Sequence, residues 1–176
     1  MIRAIRKFVL GTEGAAAAEM ALMLPLLTII MFGGMEMGGY FWSEHQVIKS
    51  VRNGTRFAAR QDFSNFVCGA STVGAKDAAV RNFVRTGTVD GTGNPVVRTW
   101  TAANDGITIS VNCKTGQDFT NGGIYSDQSG AAASTIDSAR NVMISVSLPY
   151  PSLFGNLGYL NGRNIRAFAQ SPVTGF

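Results

Sequence analysis

The chain has 176 residues, room for one ordinary domain beside a membrane segment but not for two domains. Charged residues are only 15% of it and the net charge is +4. Beyond Arg3, Arg6 and Lys7 the basic and acidic residues are interspersed without block or stripe, which argues against a nucleic-acid surface. One histidine, His45, and two cysteines, Cys68 and Cys113, with no CxxC pair do not make a zinc ligand set, so neither a metal nor a cofactor is expected.

A short basic leader, residues 1–14, precedes the apolar part of the chain. Met20 to Trp42 reads MALMLPLLTIIMFGGMEMGGYFW, about 23 residues at ~1.5 Å each, enough to cross a ~30 Å hydrocarbon core. Tyr40, Phe41 and Trp42 form an aromatic cluster of the kind that marks a membrane–water boundary. The predicted transmembrane helix is residues 15–42. Pro25 is tolerable there, and Gly33, Gly34, Gly38 and Gly39 allow another helix to approach closely. A cleaved secretory signal fits poorly, because Phe32 stands where a small residue belongs before a cut at Gly34. Lys49, Arg52, Arg56 and Arg60 beyond the span nearly balance the leader charges, so charge asymmetry leaves orientation open.

Two carboxylates need explaining. Glu19, at the start of the apolar run, is on charge alone a surface carboxylate that also favours a helix N-terminus. Glu36 lies inside the run. The preferred reading is that it snorkels to the outer interface beside Trp42, the alternative being an intramembrane polar contact.

Residues 43–176 are predicted to form a small α+β domain outside the membrane. The helical pattern continues from Ser43 to about Arg60, with Val47, Ile48, Val51 and Ala58 on one side, and Gly54 weakens it by about 1 kcal/mol or marks a bend. A second helix is predicted over Ala75–Arg85, with Ala79, Val80, Phe83 and Val84 as its apolar face. Short alternating or β-branched runs at Val96–Thr101, Ile107–Cys113, Val142–Leu148 and Asn164–Ala169 predict a small antiparallel sheet packed on the amphipathic helix. Thr115–Ser138 reads as a tolerated surface loop rather than a recognition loop. Asn161-Gly162 and Asp90–Gly93 read as turns. Cys68 and Cys113 are either a disulfide of an oxidising compartment or two buried thiols. No catalytic motif appears, and the Asn53-Gly54-Thr55 sequon is short enough to arise by chance.

The stretch Gly14-Ala15-Ala16-Ala17-Ala18-Glu19 ahead of an apolar helix resembles the prepilin-peptidase site of type IV pilin-like proteins. More widely, GAAAAEMALMLPLL, FGGMEMGGYFW and VRNGTRFAAR, and more faintly VSLPYPSLFG and RNIRAFAQS, resemble the TadE-like proteins of Tad/Flp pilus systems. The resemblance implies a minor pilin or pseudopilin, not an enzyme. It implies a cytoplasmic cut between Gly14 and Ala15, and a Glu19 that pairs with a neighbouring subunit's new amino terminus to set axial register. Its implied partners are a prepilin peptidase, other minor and major pilins, inner-membrane pilus assembly proteins and membrane lipid. The implied location is the bacterial inner membrane, single pass, with the C-terminal domain periplasmic and a further place in a pilus. The alternative is an unprocessed anchored envelope protein whose outer domain binds a ligand or a secretion component.

Overall fold

The computed structural model describes residues 14–103, 105–114, 139–155, 160 and 162–174. The leader before Gly14, the Thr115–Ser138 loop and Asn161 of the Asn161-Gly162 turn lie outside the described residues.

One helix, α1 (Ala15–Ala59), runs for 45 residues, about 68 Å at the helical rise. Its first half carries Leu, Met and Ile on every side, and it passes Pro25 and the four glycines without ending. Beyond Trp42 the apolar residues narrow to one stripe. Val47, Val51, Gly54, Thr55 and Ala58 are buried at the spacing of a single helical face, while Lys49, Arg52 and Arg56 stay exposed.

Helix α2 (Asp77–Thr86) follows a 3-10 turn at Gly74–Lys76, so it begins two residues later than its sequence pattern suggests. It buries Val80 and Val84 and half-buries Ala79 and Phe83, the apolar face expected of it. It ends at Gly87, whose φ of +77° suits glycine, and whose N–H donates to the Phe83 carbonyl at 2.9 Å. The two helices cross closely at Gly54, where a Cβ would stand 2.1 Å from Val84 Cγ2. Gly54 is the site of contact between them. Beside it the Ser50 hydroxyl donates to the Val84 carbonyl, and the Phe57 and Phe83 rings stack at 4.6 Å.

Three antiparallel strands complete the α+β fold: β1 (Ile107–Lys114), β2 (Ala139–Pro149) and β3 (Asn164–Pro172), in that spatial order. Ile109 pairs with Ile144, and Ile144 with Ala169. Alternation places Ile107, Ile109 and Val111, then Val142, Ile144, Val146 and Leu148, then Ile165 and Ala167 on the buried face. That face shares one core with the α1 stripe, Val80, Val84 and Trp100.

Val96–Thr101 is not a strand. Pro95 brings no backbone donor to a ladder, and Val97 and Trp100, three apart, are both buried. That spacing belongs to a turn, which the Trp100 N–H closes on the Val97 carbonyl at 2.9 Å. Trp100 then plugs the core and donates its indole N–H to the Asp105 carbonyl at 2.6 Å.

Cys68 and Cys113 are joined in a disulfide with Cα atoms 5.5 Å apart. The chain around it runs beside the outer edge of β1. Gly69 N–H donates to the Val111 carbonyl at 2.8 Å, and Val111 N–H to the Ala70 carbonyl at 2.9 Å, which covers part of an otherwise unpaired edge. At the start of β1, Arg81 of α2 donates to Asp77, Asp105 and the Ile107 carbonyl at 2.7, 2.9 and 2.9 Å. Partial burial works against the charge of this guanidinium, but the two carboxylates outweigh it and hold its pKa above the ordinary arginine value.

Candidate processing site and assembly surfaces

Gly14 is the N-cap of α1, with helical backbone angles (φ −86°, ψ −14°) and no side-chain cap. It is exposed, and a Cβ built there meets nothing within 4 Å. Ala15 to Ala18 and Glu19 are exposed as well. Glu19 is the fifth residue of the helix, past the first turn in which the positive end of the helix dipole is felt. Among the described residues it makes no ion pair.

The apolar part of α1 is long and apolar enough to cross a membrane, and none of its most apolar window is buried by the rest of the protein. Leu22, Leu26, Leu27, Ile29 and Ile30 all stand more than half exposed. In water so large a patch would be a liability, and it marks a surface meant for lipid or for other chains.

Glu36 departs from the preferred expectation. It does not snorkel: it is 1% exposed, covered by the segment that follows β2. Its Oε2 accepts the Leu153 N–H at 3.1 Å, and its carbonyl accepts the Tyr150 hydroxyl at 3.1 Å. Gly39, one turn on, leaves the room this needs, since a Cβ there would lie 2.8 Å from Leu153 Cδ1 and 2.9 Å from Tyr150 Oη. The Tyr40 ring meets Tyr150 edge-on at 5.2 Å, and Phe32 meets Phe154 likewise at 5.0 Å. Tyr150, Leu153 and Phe154 belong to a site that sequence reasoning missed. The signal was present in VSLPYPSLFG, but nothing local says that this segment folds back along α1.

A second surface lies between α1 and β3. An open groove of about 260 Å³ is lined by Arg52, Thr55, Arg56 and the β3 stretch Phe168–Ser171. Arg52 and Arg56 sit four apart on one helix face, both exposed, without an ion pair among the described residues. Phe168 stands 75% exposed beside them. Two like charges at this spacing cost the helix a few tenths of a kcal/mol.

The remaining candidates are quieter. His45 is exposed on α1, and the Asp90–Gly93 turn is closed by Asp90 accepting from Thr92, with Gly91 at φ +76°. Those two bonds hold the Asp90 carboxyl below the usual aspartate range. Thr55 of the sequon is buried near the C-terminal end of α1 with its hydroxyl on the Val51 carbonyl at 2.8 Å. Among the described residues no group of three or more His, Cys, Asp or Glu is placed to hold a metal ion.

The model of the TadE-like protein family matches residues 14–56, the family that the first sixty residues resemble. The match starts at Gly14 and ends inside the buried stripe of α1, so it spans the apolar helix, Glu36 and the glycines. No curated protein and no solved structure matches the chain.

Proposed function

We propose that this chain, with its TadE-like helix, is a minor pilin or pseudopilin of a Tad/Flp-type pilus system, an interaction protein and not an enzyme. The observation that carries the reading is the bare apolar helix headed by an accessible Gly14. A peptidase has open access to the Gly14–Ala15 bond, and the retained helix serves first as a membrane anchor and then as a packing surface for other subunits. In this reading residues 1–14 face the cytoplasm and the domain from Ser43 onward is periplasmic. Glu19 receives a cation from a neighbour, most simply the new amino terminus of another subunit's helix, because a carboxylate near hydrocarbon needs either a partner or water. The Arg52/Arg56 groove gives other minor and major pilins, or inner-membrane assembly proteins, a basic strip to dock on.

The test is the N-terminus of the mature chain. Cells with an active prepilin peptidase are expected to yield protein starting at Ala15. Gly14→Ala is expected to leave it uncut and to block pilus assembly. Because an added Cβ at Gly14 meets nothing, loss of cleavage there reports recognition and not misfolding. Intact Met1 in peptidase-positive cells overturns the reading and leaves an anchored envelope protein in its place.

A further inference from the structure

We propose that the turn Tyr150–Gly155 is a second membrane-inserted element, which seats Leu153 and Phe154 among the acyl chains of the outer leaflet. The proposal rests on the reading that α1 spans the bilayer. If the hydrocarbon begins near Met20, just past Glu19, about 20 helical residues carry α1 across ~30 Å. They end near Tyr40, where the aromatic cluster stands. Counting back at ~1.5 Å per residue, Glu36 lies about 6 Å and Phe32 about 12 Å inside that boundary. The turn touches both. Leu153 binds Glu36 and Phe154 packs on Phe32, so the tip of the outer domain reaches well below the aromatic belt.

The chemistry of the turn suits that depth. Tyr150–Gly155 contains no charged residue. Leu153 is 59% exposed and adjoins a helix surface whose Phe32, Met35 and Met37 are 44–55% exposed, so one apolar face continues from helix to turn. Irregular backbone is tolerated in hydrocarbon only where its polar groups find partners inside the protein. Pro151 has no N–H, the Ser152 N–H donates to the Tyr150 carbonyl at 3.0 Å, and the Ser152 hydroxyl donates to the Gly155 carbonyl at 3.2 Å. The Leu153 N–H is taken by Glu36. A buried carboxyl in an otherwise apolar helix thereby has a structural task, capping the turn's Leu153 N–H, a donor that would otherwise face lipid.

The test uses the full chain in phosphatidylcholine–phosphatidylglycerol vesicles, with a fluorophore on a single introduced cysteine. The bridged Cys68–Cys113 pair does not react, and its persistence on a non-reducing gel reports folding. Labels at Leu27→Cys in the span and Thr108→Cys on the sheet serve as membrane and aqueous references. Lipids bearing a nitroxide at carbon 5 are expected to quench Leu153→Cys several-fold more than Thr108→Cys, and aqueous iodide is expected to spare it. If Leu153→Cys behaves like Thr108→Cys while Leu27→Cys is lipid-quenched, the inserted turn is wrong and the span survives. If Leu27→Cys also escapes lipid quenching, the span itself fails and the proposal falls with it.

Discussion

Oε2 of Glu36 accepts the backbone N–H of Leu153 at 3.1 Å, although 117 residues separate the two. The acceptor lies in the apolar half of α1 and the donor in the turn after β2, so one hydrogen bond ties the far end of the domain to the membrane helix. Removing the acceptor leaves a part-buried donor unpaired, which costs at most about 1–3 kcal/mol. Glu36→Ala is therefore expected to lower stability by that amount, read as the denaturant midpoint in detergent micelles. Glu36→Gln keeps a carbonyl oxygen in reach and is expected to stay within about 1 kcal/mol of the parent. Equal stability of all three proteins would show that the bond holds nothing.

Local signals account for most of what could be read in advance. The unbroken apolar run and the narrower stripe after Trp42 specify α1, and alternation along β1 and β2 specifies the buried sheet face, because the periods of helix and strand are set by backbone geometry. Val96–Thr101 misleads because a β-branched run beside a proline carries strand composition without strand spacing. Glu36 misleads for a different reason. Its position in the helix is legible, but its partner is supplied by a return of the chain that leaves no local trace.

Gly54 is a second place where local propensity points the wrong way. An alanine in mid-helix gains about 1 kcal/mol over glycine, so on propensity alone Gly54→Ala should stabilise α1. The added Cβ would lie 2.1 Å from Val84 Cγ2 and 3.5 Å from Val84 Cα, and α2 cannot yield without disturbing the Ser50 and Phe57 contacts next to it. Overpacking of this kind costs about 1–3 kcal/mol. A net loss is expected for Gly54→Ala in the parent, together with a smaller loss or a gain in a Val84→Ala background. A double-mutant cycle on denaturant midpoints measures the coupling, and additive effects would show that the two helices do not meet as described.

The Cys68–Cys113 bridge closes a separation of 45 residues, for which the chain-entropy model gives about 4 kcal/mol, with measured bridges usually at 2–4. It also anchors the segment that covers β1, since Gly69 and Ala70 pair with Val111 directly beside it. Replacing both cysteines by serine is expected to lower stability by about 2–4 kcal/mol. It should also abolish the loss that a reducing agent causes in the parent, so the two proteins should unfold alike once dithiothreitol is present. The bridge carries topological information too, because such bonds persist outside the cytoplasm and are scarce within it. Thiol-alkylation mass shifts in intact cells should find neither cysteine free when periplasmic oxidation works, and both free when it is disabled. Two free thiols in oxidation-competent cells would place the domain on the cytoplasmic side and overturn the proposed orientation, whatever the stability measurements show.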